Sequence, residues 1–324
     1  MNPSFDLGPG GATSLPHWGV LRAQGDDAAQ FLHGQLSNDI VKLDASRACL
    51  AAYCTAQGRM LASFVITRPQ PTDLWLACSA DVLPATLKRL SMFVLRAKAR
   101  LSDASQHLVV LGLTGPTAAQ WLGEAAGTQD WQAVQRDGAS IVRLPAVDGI
   151  ERWLWIGPID QASTVLAALP ALDEAVWRWL ETRSGLAQVQ AATSGQFVPQ
   201  MLNYEVLGGV DFRKGCYPGQ EIVARSQYLG KLKRRAFLVE GPTTLQAGQE
   251  VYWSEDAGQP AGLVAQAALQ PGGAGGTAVV ELKLAVTDTG RLHLGTPQGP
   301  LLTLVPLPYA LPTEAAPAKS GAVG

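Results

Sequence analysis

Apolar residues recur along the chain with two different periods, and the switches between them mark the elements. A strand-like stretch at 19–22 meets Asp26 and Asp27, either of which can cap a helix. Ala28, Phe31, Leu32 and Leu36 then fall at helical spacing, so one helix face is expected to be buried. Residues 49–54 and 60–67 predict two strands around a turn at Gln57 and Gly58, residues 74–78 a third strand, and 81–93 a return to helix. The order partly recurs: a strand at 107–113, a helix entered at Gly115 and Pro116 where proline suits the first turn, strands at 140–144 and 153–156, and a helix at 160–169. Each half reads as a strand-helix-strand-strand-helix unit, an order that builds antiparallel or mixed sheets with helices on one face. The expected fold class is α+β, with two related subdomains whose residue identity is too weak to count as a sequence repeat.

Past a helix around 175–183 the pattern shortens into strands at 236–239, 250–253, 263–268, 277–284, 291–294 and 301–305. Their turn-rich spacing predicts a small β-barrel or sandwich. The stretch 271–276 (PGGAGG) is expected to be a mobile loop, residues 1–14 a flexible N-terminus, and 312–324, rich in alanine and polar residues, a disordered tail. These divisions leave residues 15–235 for the α+β region and 236–311 for the barrel.

Composition sharpens this picture. A chain of 324 residues exceeds what one core usually supports, and 16% charged residues with 34 glycines and 21 prolines imply many short elements joined by tight turns. At 47% hydrophobic residues, disorder and collagen are excluded. No apolar run approaches the roughly 20 residues needed to cross a bilayer. The N-terminus lacks a basic start followed by a hydrophobic block, so a cytoplasmic location without a membrane partner is expected. Four cysteines (Cys49, Cys54, Cys78, Cys216) make no disulfide framework and four scattered histidines no metal-ligand spacing, so reduced thiols and no metal site are expected. Dinucleotide, P-loop, zinc-protease and calcium-loop motifs are absent.

Candidate chemistry concentrates in residues 214–225 (KGCYPGQEIVAR). A thiol stands there between glycines and cations, just before an expected helix opened by Pro218 or Gly219. Cys216 meets the positive end of that helix dipole and the charges of Arg213 and Lys214, both of which stabilise thiolate over thiol. The plainer alternative is an inert buried cysteine beside a turn. Gly215 and Gly219 let the backbone approach a ligand closely, while Glu221 and Arg225, four apart, can simply pair along the helix. Residues 213–235 hold seven cations (Arg213, Lys214, Arg225, Lys231, Lys233, Arg234, Arg235) against Glu221 alone, in a chain whose net charge is −2. A small anion, a polyglutamate tail or an RNA backbone would suit that window, as would a solvated turn. Sparse aromatic interleaving favours the small anion. Nine tryptophans exceed what a core needs, so one or two are available as stacking faces for a flat heterocycle, while Trp75, Trp153 and Trp155 on strands are expected to be core.

Residues 214–225 resemble the signature of the YgfZ folate-binding proteins, relatives of the glycine-cleavage T-protein. The resemblance extends through 194–200 (SGQFVPQ), Asn203, 207–209 (LGG), 31–39 (FLHGQLSND), 50–54 (LAAYC) and 306–309 (PLPY), and spans roughly residues 15–310. It implies a T-protein-like fold with several domains around a central channel that accepts tetrahydrofolate or a one-carbon derivative. It also implies two tryptophan contacts to folate, at Trp18 and Trp177, where a pterin stacks on indole. The matched motifs place Asn203, Gly215, Gly219 and Gln220 at the binding site, and Cys216 with Lys214 and Arg225 at the reactive one. Glu205 is a further candidate, since a carboxylate accepts the paired donors of a pterin edge.

The implied function is a folate-dependent auxiliary factor that helps assemble or repair iron-sulfur enzymes, including radical enzymes that methylthiolate tRNA, without an autonomous turnover. Its partners would be folate, iron-sulfur assembly proteins and cluster enzymes, with tRNA engaged only indirectly or weakly. One cysteine cannot hold a cluster for which four ligands are usual, so any iron-sulfur cluster is transient or shared. At 58–64 (GRMLASF) the T-protein has a Gly-rich turn followed by paired aspartates; Ala62 and Ser63 cannot guide a proton, which argues against aminomethyl transfer. Pro218 stands where relatives often carry threonine, and 181–184 (ETRS) departs from the Arg-x-Glu pattern of the T-protein, so no folate role passes to Arg183. Two other classes stay open: a one-carbon transferase using a different acid, and a tRNA-binding module working through Lys231, Lys233, Arg234 and Arg235.

Overall fold

The computed structural model describes residues 7–228, 232–273, 275–287 and 289–312. Expectations for residues 1–6, Lys231, Ala274 and 313–324 lie outside the described residues.

The first half of the chain forms β2 (Trp18–Gln24), after a short β1 (Gly11–Ser14), then α1 (Ala28–His33), β3 (Cys49–Cys54), β4 (Met60–Gln70), β5 (Asp73–Ser79), α2 (Leu83–Ser91) and β6 (Arg100–Asp103). Its sheet is antiparallel in the order β3-β4-β5-β2-β6. Both faces of this sheet are apolar. Phe64, Ile66, Leu74 and Leu76 pack under the two helices, while the alternate positions Leu50, Val65, Trp75 and Ala77 point the other way into a second core. Side-chain direction alternates along a strand, so burial of both faces produces the nearly continuous apolar runs seen at 60–66 and 74–78. Asp27 occupies the helix N-cap without capping it; its carboxylate instead accepts from the Lys98 N–H at 2.7 Å, tying α1 to the segment before β6.

The second half repeats the design with β7 (Leu108–Thr114), α3 (Gly115–Leu122), β8 (Ala133–Arg136), β9 (Ala139–Val147), β10 (Ile150–Pro158) and α4 (Ile159–Ala168). The sheet order is β1-β7-β10-β9-β8. Leu111, Leu113, Trp153 and Trp155 face α3 and α4, and Val110, Val142, Leu154 and Ile156 face the first sheet across a shared core that also takes Trp177. Residues 11–14, expected within a flexible N-terminus, are a paired strand of this sheet, held so closely that a Cβ on Gly11 would lie 2.1 Å from the Pro170 carbonyl oxygen. Four residues carry too short a pattern to read, and their pairing partner lies a hundred residues away.

α5 (Glu174–Arg183), capped by an Asp173 carboxylate that accepts from the Ala175 N–H at 2.9 Å, links this region to the rest. Beyond α6 (Gln220–Tyr228), strands β11 (Arg234–Gly241), β12 (Glu250–Trp253), β13 (Gly262–Leu269), β14 (Gly276–Lys283), β15 (Leu292–Leu294) and β16 (Leu301–Val305) close into a barrel in the order β11-β14-β13-β12-β15-β16. The fold is therefore two related antiparallel α+β units and a six-stranded C-terminal barrel. α5 packs against β13 and β14, which brings the barrel to the seam between the two sheets.

Candidate functional site

A cavity of about 550 Å³ opens at that seam, bordered by β2, β10, α5, the barrel and the segment 308–309. Trp18, Trp131, Val65 and Leu154 form apolar walls. The polar groups include Glu181, Arg152, Gln188 and Tyr309.

Glu181, near the end of α5, is 8 % exposed. Its Oε1 accepts from Trp18 Nε1 at 2.8 Å and its Oε2 hydrogen-bonds His17 Nε2 at 2.9 Å. Burial pushes its carboxyl up, but the hydrogen bond and charge of His17, with the indoles of Trp177 and Trp18, outweigh this and hold it below the usual carboxylate range. Arg152, on β10, also lines the cavity and is 2 % exposed. Its Nη2 donates to the Pro145 carbonyl at 3.1 Å, and its Nε has no partner. Burial pushes this guanidinium down to about 10, opposed by the charges of Glu181 and Asp130. A second buried donor without a partner, Gln188 Nε2, belongs to another lining residue. Tyr309 completes the wall, donating to the Gly185 carbonyl at 2.8 Å while its oxygen accepts from Asn203 Nδ2 at 3.2 Å.

Trp177 stands behind this wall. It is fully buried and absent from the cavity lining, packed so tightly on β7 that a Cβ on Gly112 would lie 2.4 Å from its ring. The Arg152 guanidinium lies 5.8 Å from its ring centroid, within cation-π range. Of the two tryptophans singled out from sequence, Trp18 lines the cavity and Trp177 braces the arginine that lines it.

Cys216 lies in a different place. The thiol is exposed and lies outside the cavity lining. Burial pushes Cys49 and Cys54 up to about 12 and Cys78 higher still; Cys54 and Cys78 are buried, Cys49 is half-buried, and Cys216 is exposed. Lys214 is 7 % exposed; its Nζ donates to the carbonyls of His33 at 2.6 Å and Gly215 at 3.1 Å and lies 4.7 Å from the Tyr217 ring centroid. Burial lowers it to about 8, opposed by Asp39, Asp211 and Cys216. Gly219, at φ +83, abuts the turn between β3 and β4, and Gln220 Nε2 donates to the Lys214 carbonyl at 3.4 Å. Arg225 is exposed on α6.

Asn203 and Glu205 occupy the seam between the α+β region and the barrel. Asn203, left-handed at φ +58, donates to the Ala236 carbonyl at 2.9 Å and accepts from Arg235 Nη1 at 3.0 Å. Glu205 pairs with Arg235 at 2.7 Å; burial pushes its carboxyl up, with Arg235 opposing. Neither lines the cavity, although the adjacent Val206 and Leu207 do. The cationic window is thus dispersed: Lys214 and Arg235 are buried, and Arg234 pairs with Glu281. Arg213, Arg225 and Lys233 face solvent. Ser63 is buried and accepts from the Val189 N–H at 2.9 Å, a structural use of its hydroxyl. Glu181, Arg152, Gln188 and Trp131 were not read from sequence as site residues. A lone arginine within the apolar run of β10, and an acid four residues after Trp177 on one helix, were the available signals.

Among the described residues no group of three or more His, Cys, Asp and Glu side chains could hold a metal ion, and no helix is long and apolar enough to cross a membrane.

Comparison with known proteins adds to this geometry. A family model described as the GCVT N-terminal domain matches residues 11–149. The chain is 32% identical over 232 residues to the tRNA-modifying protein YgfZ of Colwellia psychrerythraea, covering 69% of each chain. Its fold is similar to that of glycine cleavage system aminomethyltransferase T from Bartonella henselae, with a TM-score of 0.71 at 18% identity, over 95% of this chain and 91% of the other.

Proposed function

The chain belongs to the YgfZ family, and from that membership we propose that it is a folate-binding auxiliary protein serving the assembly or repair of iron-sulfur enzymes, tRNA-methylthiolating radical enzymes among them, in the cytoplasm. The observation that carries the folate half is the donor and acceptor set of the central cavity. Two buried donors without partners, Arg152 Nε and Gln188 Nε2, share a chamber with the carboxylate of Glu181. A reduced pterin has the matching edge, with an amino group and a ring N–H beside a carbonyl. The volume falls within the range of about 300–1,000 Å³ usual for small-molecule sites. Glu181 would accept the pterin donors, Trp18 and Trp131 would flank the ring, and bound tetrahydrofolate would supply or accept a one-carbon unit.

The sulfur half rests on Cys216. Its exposure and its position outside the cavity make it a separate contact point, offered to a partner's cluster or sulfur species rather than to the pterin. Lys214 buttresses the loop from beneath, and Arg213 and Arg225 add positive charge at its surface. Gly215, Gly219 and Gln220 shape that loop, while Asn203 and Glu205 hold the seam behind the cavity.

Titration of tetrahydrofolate, followed by tryptophan fluorescence, tests the first half. Loss of one charge-assisted hydrogen bond, worth about 1.5–3 kcal/mol, makes Glu181→Gln bind roughly 10- to 100-fold more weakly than wild type. Trp18→Ala is also weakened, and equal affinity in all three proteins removes the pocket. Complementation of a deletion strain with Cys216→Ala tests the second half. Full recovery of cluster-enzyme activity and tRNA methylthiolation by that variant removes the thiol.

A second reading is favoured by one feature: Asp130 also lines the cavity and supplies a carboxylate where Ala62 and Ser63 do not. In a folate-dependent one-carbon transferase it would guide the proton, and methylene-folate production by the purified protein would reveal that activity.

A further inference from the structure

Resting on the folate reading above, we infer that Arg152 is the residue that restricts the cavity to 4-oxo pterins and rejects 2,4-diamino ones. Two neighbouring groups of opposite hydrogen-bonding sense line the chamber. Glu181 can only accept, since its carboxyl is held ionised by His17 and Trp18. Arg152 can only donate, because a guanidinium has five N–H groups and no acceptor. One of its donors is taken by the Pro145 carbonyl, and its Nε is buried without a partner. Its side chain is 2 % exposed and lies within cation-π range of Trp177, which is itself wedged on Gly112.

A 2-amino-4-oxo ring satisfies both groups, its amino and ring N–H donors meeting Glu181 and its 4-oxygen meeting Arg152. Replacing that oxygen by an amino group sets donor against donor next to a buried cation, leaves the arginine N–H unpaired, and turns the adjacent ring N–H into an acceptor that can no longer donate to Glu181. Sites built to hydrogen-bond a ligand atom discriminate strongly against analogues that leave their buried polar groups unpaired.

The probes are tetrahydrofolate and tetrahydroaminopterin, which differ in the 4-substituent and in the ring N–H that goes with it, titrated against the full-length protein. Wild type prefers the 4-oxo compound by about 100-fold or more, the equivalent of two charge-assisted hydrogen bonds. Arg152→Met narrows the preference by about 10-fold or more, and Glu181→Gln, whose amide can face the ring nitrogen as donor or acceptor, keeps the part owed to Arg152. Equal affinity of wild type for the two compounds overturns the inference while leaving folate binding in place. So does an undiminished preference in a folded Arg152→Met. Where that variant fails to fold, Glu181→Gln decides: a preference lost there belongs to Glu181 and overturns the inference, and one that survives belongs to Arg152. Binding of neither compound overturns the folate reading itself, and this inference with it.

Discussion

Substituting Gly219 by alanine would place a methyl group 2.4 Å from the Thr55 carbonyl oxygen and 2.7 Å from both the Cα and N of Gly58. All three are backbone atoms of the β3–β4 turn, so no side chain can rotate out of the way. The residue also sits at φ +83, where an L-residue pays about 1–2 kcal/mol. Relieving the overlap means displacing the loop or the turn by about 1 Å, an overpacking cost of roughly 1–3 kcal/mol. Reduced freedom of the unfolded chain returns about 0.4–1 kcal/mol, which leaves a net loss of about 1–5 kcal/mol. Gly215, four positions earlier in the same motif, provides the control. It is exposed and outside the left-handed region, and a Cβ there meets nothing closer than His33 Nε2 at 3.5 Å. Gly215→Ala should stay within about 0.5 kcal/mol of wild type, as surface changes usually do. Urea unfolding followed by tryptophan fluorescence measures both, and the rate of Cys216 alkylation by iodoacetamide reports whether the loop has moved. A Gly219→Ala protein as stable as wild type with an unchanged alkylation rate refutes the packing argument, and so does equal damage at the two glycines.

Three further outcomes follow from the same geometry. Lys214, lowered to about 8 in the folded state against 10.5 in an unfolded one, binds fewer protons when folded, so its burial costs stability below pH 8 and the cost fades between pH 8 and 10.5. Wild type should therefore gain on Lys214→Met by about 2–4 kcal/mol across that window, a comparison in which the raised cysteine and tyrosine values cancel; a flat difference disproves it. Thiol titration of the native protein should count one fast-reacting sulfhydryl, Cys216, and all four in denaturant, with a Cys216→Ser protein losing the fast phase. Removing one partner from a buried ion pair costs about 3–5 kcal/mol, so Arg235→Leu, which strands Glu205 and the Asn203 oxygen, should be far more damaging than Lys233→Ala, and comparable unfolding midpoints for the two would contradict the structure.

Much of the architecture was legible along the chain. Apart from β8, which the pattern did not predict, residues 49–79 and 107–169 revealed their strands and helices because periods of two and 3.6, with Gln57-Gly58 and Gly115-Pro116 as punctuation, are local signals that need no knowledge of distant partners. The six barrel strands were legible for the same reason, and α6 starts directly after Gly219. The motif around Cys216 also announced the family.

What tertiary contacts alone decided is who neutralises, covers or crowds whom. Arg234 and Arg235 looked free for an anion until β14 supplied Glu281 and the seam supplied Glu205. Trp177 looked like a stacking face until the packing of the two sheets buried it behind Arg152. Gly215 and Gly219 are indistinguishable as letters, and only the approach of the β3–β4 turn makes one of them irreplaceable. β1 was invisible because its partner β7 lies a hundred residues downstream. Backbone conformation follows near neighbours, whereas burial, pairing and desolvation are properties of surfaces that the folded chain brings together. The chemistry of the cavity belongs to that second class.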